Sequence, residues 1–171
     1  MNNILKHRGP DASGIWISKN RSVGFGHTRL SILDLSKKSN QPFFENKQDT
    51  VLSFNGEIYN YKQFKKILVK EGFRFKTKNS DTEVLLKAYK KWGIECINYF
   101  RGMFAFAIWD EKKKKVFLVR DRIGIKPLYY KIDCKKLIFA FEIKAILTDK
   151  EYKPEIDEKS MFHYLSFLCT P

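Results

Sequence analysis

Apolar and polar positions alternate in short runs at both ends of the chain and fall at helical spacing in the middle. GIWIS (14–18) and VGFGHTRLSILDL (23–35) predict two strands joined by the polar turn KNRS. DTVLSF (49–54) predicts a third, which Asn55-Gly56 is expected to stop as a turn. In NYKQFKKILVKEG, Tyr61, Phe64, Ile67 and Leu68 share one helical face, and Gly72 stands where a C-terminal cap belongs. SDTEVLLKAYKKWG is a stronger helix: Ser80 and Glu83 form a capping box, Val84, Leu85, Ala88, Tyr89 and Trp92 the apolar stripe, and Gly93 the end. From residue 103 the runs MFAFAIWD, VFLVRDR, PLYYKID and LIFAFE predict an antiparallel meander packed on one side. The short helix IKAILTD, the polar linker EYKPEID (151–157) and a helical DEKSMFHYLSF follow. Strands, two helices, then strands make an α+β domain with helices layered on sheet. At the start, Ile4 to Arg8 read as the last turn of a helix, with basic residues before the stop Gly9-Pro10.

A length of 171 residues allows a single core, and 15 Phe and 8 Tyr argue against disorder. The formal net charge of +14 admits nucleic acid, an anionic surface or an acidic partner. The charge is mostly scattered Lys, however, whereas nucleic-acid sites favour Arg with interleaved aromatics, so no nucleic-acid partner is expected. The densest run, Lys112 to Lys115, lies between two apolar runs and reads as a solvated hairpin turn. Cys96, Cys134 and Cys169 are widely spaced, without a C-x-x-C, which argues against a disulfide scaffold or zinc site and fits a reducing compartment. The longest apolar stretch, FAFAIW, is too short to span a membrane, and a cytoplasmic protein without membrane partners is expected.

Candidate chemistry gathers in the first half. GFGHTRL (24–30) has two glycines of a dinucleotide fingerprint, but a strand follows where a helix should begin, so the match is discarded. Arg29, on a strand with apolar neighbours Leu30 and Ile32, reads as half-buried and needs an anionic partner, either a structural carboxylate or a ligand's. Asn55-Gly56-Glu57 at a strand end suits either a turn or an oxyanion hole made of an Asn amide and a Gly N–H. Asp81 in the first helical turn either complements the macrodipole or recognises an ammonium group. His7, His27 and His163 have no spacing for a metal or a triad and read as structural.

Together HRGPDASGIW, GFGHTRLSILDLS, FNGEIYNY, NSDTEVLLKAYKKWG, RGMFAFAIWD and RDRIGIKPLYY resemble, in order and spacing, the glutaminase domain of glutamine-dependent asparagine synthetase. The likeness spans nearly the whole chain; Ile123, where the family usually has an aromatic, departs from it as a packing variant. The resemblance implies the N-terminal-nucleophile hydrolase αββα sandwich, two antiparallel sheets between helical layers, here lacking its first strand or strands. It implies residues 1–150 as a partial glutaminase domain and 151–171 as linker and start of the synthetase domain. Glutamine is then the ligand and the synthetase domain the partner in cis, and a homodimer is compatible with the full-length form. No cofactor is expected in this chain, with ATP and Mg²⁺ belonging to the synthetase domain, which activates aspartate for amidation.

Carried over by position, Arg29 holds the substrate α-carboxylate, Asn55 and Gly56 form the oxyanion hole, and Glu57 and Asp81 lie near the α-ammonium. The family nucleophile is an N-terminal cysteine whose own α-amino group serves as base. Residue 2 is Asn, and Cys96, Cys134 and Cys169 are internal. Met1 therefore reads as an internal methionine of the family's helix, and the chain as written is expected not to hydrolyse glutamine. The alternative is a non-catalytic glutamine-binding or scaffold module.

Overall fold

The computed structural model describes residues 1–45, 48–151 and 153–168. Strands β1 (Ala12–Ile17), β2 (Gly24–Arg29), β3 (Phe43–Phe44), β4 (Thr50–Ile58), β5 (Gly102–Asp110), β6 (Lys115–Arg120), β7 (Tyr129–Ile132) and β8 (Leu137–Ala140) accompany helices α1 (Tyr61–Lys70), α2 (Asp81–Trp92), α3 (Ile143–Ile146) and α4 (Glu158–Phe167). A four-stranded antiparallel sheet, β3-β4-β5-β6, carries α1 and α2 on one face. Its other face meets two separate ribbons, β1-β2 and β7-β8. The expected α+β sandwich is present, with its second sheet built as two ribbons.

Alternation along β4 and β5 sorts their side chains between the two layers. Leu52, Phe54 and Ile58 with Phe104, Phe106 and Ile108 pack under the helices in the larger core. Val51, Ala107 and Trp109 face the ribbons, where Trp16 and Phe25 complete a smaller core. Register pairs Val51 with Trp109, Ser53 with Ala107, Asn55 with Ala105 and Glu57 with Met103.

The second helix starts as its sequence predicts: Ser80 caps it by accepting from the Glu83 N–H. The Glu83 carboxylate, however, turns away from the cap and accepts from the Lys76 and Thr77 N–H groups and the Thr77 hydroxyl. Lys87 and Lys90 then clamp Glu45 at 2.5 and 2.7 Å, fixing α2 to the segment after β3.

Five expectations change. The strand expected over 23–35 ends at Arg29, and Leu30, Ile32 and Leu35 are 56, 72 and 78% exposed in an irregular segment. Asn55-Gly56 makes no turn: β4 continues through it to Ile58 because the ladder with β5 persists. Gly56 lies at φ +143°, and a Cβ there would meet the Met103 carbonyl oxygen at 2.1 Å, so the glycine serves close strand approach. The meander breaks between β6 and β7, where Asp121 gathers the N–H groups of Ile125 and Lys126 and Arg120 takes the carbonyls of Gly124 and Lys126. Finally, Ile67 is exposed on α1, and Ile123, expected as a packing variant, is 85% exposed.

The opening residues form a 3-10 helix, Asn2–Arg8, capped by the Gly9 N–H on the Lys6 carbonyl. Lys112 and Lys113 occupy the expected hairpin turn, their N–H groups donating to Asp110. No residue of α4 is buried.

Candidate functional site

A cavity of about 480 Å³ opens between the polar ends of β2 and β4 and the start of α2. Arg29, Asn55, Gly56, Glu57 and Asp81 all line it, so the fold brings together every residue nominated from the sequence. The reason is periodicity. On β2 the inward positions run Phe25, His27, Arg29, and on β4 they run Val51, Ser53, Asn55, Glu57, each passing from apolar to polar in the same direction. Small residues stand opposite the polar ones on the ladders: Gly14 and Ala12 opposite His27 and Arg29, and Ala107 and Ala105 opposite Ser53 and Asn55.

Arg29 is 8% exposed. Its guanidinium donates to the Ser36 carbonyl at 3.0 Å, to Asn40 Oδ1 at 2.8 Å and to the Asp34 carbonyl, holding the segment after β2 against the cavity. These partners are neutral oxygens, and among the described residues no carboxylate pairs with it. Its charge therefore faces the cavity uncompensated by an ion pair.

Asp81 is 5% exposed, with one carboxylate oxygen accepting from the Ile58 N–H at 3.1 Å and the other from the Thr82 N–H at 2.8 Å. Burial pushes its pKa up to about 6 against those hydrogen bonds, and the charge of Glu57 pushes the same way. The cavity thus holds a guanidinium on one wall and two carboxylates on another, with the Asn55 amide and the Gly56 backbone on the strand between.

Three wall residues escaped the sequence reading. Gln41 pairs its amide with the backbone of Phe54, accepting from its N–H at 2.6 Å and donating to its carbonyl at 3.0 Å, so it extends the sheet as a strand residue would. Nothing in a lone Gln before Pro signals this. His27, read as structural, lines the cavity and contacts Ser53 Oγ through Nδ1 at 3.2 Å. Burial, with Arg29 adding, lowers its pKa to about 4, so the ring is neutral at pH 7. Its signal was available: it stands two residues before Arg29 on a strand. His7, also read as structural, lies on the rim against Glu142 at 3.3 Å. His163 is on α4 away from the cavity.

Cys96 is buried in the helix-facing core, where burial raises its pKa to about 12, and Cys134 is exposed between β7 and β8. Neither lines the cavity, and Cys169 lies outside the described residues. Among the described residues no group of three His, Cys, Asp or Glu side chains is placed to hold a metal ion, and no helix is long and apolar enough to cross a membrane.

The family model of the glutamine amidotransferase domain matches residues 1–171, and the chain belongs to that family. It is 43% identical to the putative asparagine synthetase [glutamine-hydrolyzing] 2 of Methanocaldococcus jannaschii, over 100% of this chain and 36% of that protein. Asparagine synthetase [glutamine-hydrolyzing] 3 of Bacillus subtilis is 39% identical over 94% of this chain and 26% of its own length. Amidase chry2 of Gibberella zeae is 46% identical over 84% and 21%. The chain thus spans roughly a fifth to a third of these relatives. Among solved structures, glutamine phosphoribosylpyrophosphate amidotransferase from B. subtilis superposes with a TM-score of 0.71 at 24% identity, covering 85% of this chain and 38% of that one, which establishes the shared fold.

Proposed function

We propose that this chain is the glutamine site of a longer asparagine synthetase-type amidotransferase. The carrying observation is the charge layout of one cavity: a buried guanidinium with no carboxylate partner among the described residues, and a buried carboxylate beside Glu57. An amino-acid zwitterion answers both charges, its α-carboxylate taking the planar Arg29 fork and its α-ammonium the carboxylates of Asp81 and Glu57. The side-chain amide then extends toward Asn55 and Gly56, whose neutral N–H donors suit the oxyanion of a tetrahedral intermediate. The relatives that carry asparagine synthetase in their names support the further assignment: ammonia released here would serve amidation of aspartate in the remaining length of such a protein. The same reading puts the domain boundary near residue 150, before the polar linker and the unburied α4.

Attack on the amide carbon needs a nucleophile, and the described cavity wall contains no thiol. That favours a second reading for the chain by itself, glutamine binding without turnover. Calorimetric titration with L-glutamine, paired with an ammonia-release assay, separates the two. Binding that is lost in Arg29→Ala, and is not restored by Arg29→Lys because a point ammonium cannot reproduce the fork, is the expected result. Absence of binding at millimolar glutamine overturns both readings. Release of ammonia overturns the binding-only one.

A further inference from the structure

The polar walls of the cavity are joined to each other by the bond between His27 Nδ1 and Ser53 Oγ. Each partner precedes a site residue by two positions on its own strand, His27 before Arg29 and Ser53 before Asn55. Residues i and i+2 of a strand share a face and sit about 7 Å apart. The bond therefore ties one layer to the other within a single strand repeat of both site residues. Behind it the layers meet mainly through apolar groups, Phe25, Val51 and Trp109, whose contact is non-directional. A second polar bond, from Trp16 Nε1 to Gln48 Oε1 at 3.0 Å, lies at that apolar end, away from the site residues. Ser53 is fully buried and His27 partly so, which keeps water from competing for the bond. Burial keeps the ring neutral at pH 7, with one donor and one acceptor nitrogen, so it adds no second cation beside Arg29.

We propose that His27 is a positioning residue: through Ser53 it sets the separation between Arg29 and the Asn55-Gly56 pair, and thereby the affinity for the amino acid held between them. The inference rests on the glutamine reading of the cavity and adds to it a residue that the ligand-contact reading leaves out.

The chain has three histidines, so a ¹⁵N-histidine spectrum of it is simple, and His27→Asn assigns the His27 signals. At pH 7 the wild-type ring is expected as one fixed neutral tautomer, and Ser53→Ala releases it into a mixture. In calorimetric titrations with L-glutamine, Ser53→Ala and His27→Gln should each weaken binding about tenfold, the scale of one lost buried hydrogen bond. His27→Asn, whose short amide reaches the Nδ1 position, should stay within about threefold of wild type, a difference well under that of the lost bond. A side chain that merely fills space would not distinguish Asn from Gln in this way, nor would it carry a fixed tautomer. Should Ser53→Ala fail to fold, the Asn and Gln variants carry the same comparison. Wild-type affinity in both Ser53→Ala and His27→Gln overturns the inference alone, as does equal weakening by Asn and Gln, or a wild-type tautomer mixture. No glutamine binding by the wild-type chain overturns the reading of the cavity and the inference with it.

Discussion

The two faces of β4 and β5 are made by the same pair of nine-residue strands and serve opposite ends. The helix-facing side is apolar from Leu52 to Ile58, with Leu52, Phe54 and Ile58 paired against Ile108, Phe106 and Gly102. It turns polar only at its Thr50–Asp110 end, where Asp110 accepts from the Tyr89 hydroxyl. The ribbon-facing side is apolar only at one end, where Val51 meets Trp109; beyond that it becomes Ser53, Asn55 and Glu57, faced by Ala107, Ala105 and Met103. One face holds the domain together, and the other gives up burial to make a cavity. Alternation lets a single strand do both, because each substitution touches one face and leaves the other alone.

The sharpest way to break this division is to attack the helix-facing side. Phe106 is fully buried between the sheet and the helices, and Phe106→Ala should cost about 3–5 kcal/mol. Set against a total of roughly 5–15 kcal/mol for a domain, that removes a large share of the stability. Urea unfolding would measure it, and glutamine affinity of the molecules that remain folded should be nearly unchanged. A loss of affinity without loss of stability would contradict the separation of the faces.

A smaller effect is expected from crowding the other side. Ala105 is fully buried opposite Asn55. Ala105→Leu pushes a larger side chain into that layer, with an overpacking cost of about 1–3 kcal/mol. Here affinity and stability should fall together, since the added volume goes toward the cavity. Glu57→Ala should separate them the other way. Its side chain accepts no hydrogen bond among the described residues and is only half-buried, so stability should shift by no more than about 0.5 kcal/mol. Glutamine affinity should still drop several-fold, because one of the two carboxylates that answer the α-ammonium is gone. A Glu57→Ala chain that binds like the wild type would remove Glu57 from the site.

The division also explains what could be read in advance. The apolar stripe and cap of α2 are local signals, and they hold: Ser80 caps, and Val84, Leu85, Ala88 and Tyr89 are buried. The alternation in MFAFAIWD marks a strand with different neighbours on its two sides, and Ala105 and Ala107 mark the side where space is left. Asn55-Gly56 misled because the turn preference of that pair is local, while the ladder to Phe104 that overrides it is made by residues almost fifty positions away. The end of β2 was hidden for the same reason. Arg29 stops acting as a plain strand residue by taking carbonyls from Asp34 and Ser36, contacts no alternation pattern reports. The site residues Arg29, Asn55, Gly56, Glu57 and Asp81 were legible through family resemblance, and geometry adds that they share one cavity. Gln41 was not, since its part depends on which strand lies opposite. The place of His27 two residues before Arg29 was legible, but its bond to Ser53 in the facing layer was not.

The smallest expected effect is a cancellation. His27 has its pKa lowered from 6.5 to about 4, so between those values the unfolded chain binds more protons, and this group makes stability rise with pH. Asp81 has its pKa raised from 3.8 to about 6, so over that window the folded chain binds more protons, and this group makes stability fall with pH. The shifts are of similar size and the windows overlap, so the two contributions should nearly offset each other from pH 4 to 6. Carboxylates held low by hydrogen bonds, such as Asp121 and Asp110, act at more acid pH and do not enter this window. Urea midpoints of the wild type should therefore change little across it. Asp81→Asn should unmask a stability that climbs with pH until about 6.5, and His27→Asn one that declines until about 6. Ligand affinity escapes the cancellation: a protonated Asp81 cannot answer an ammonium group, so glutamine binding should weaken about tenfold per pH unit below 6. If stability is flat in wild type and in both variants, neither group is desolvated by the cavity, and the polar ends of β2 and β4 are wetter than their alternation with the apolar ends implies.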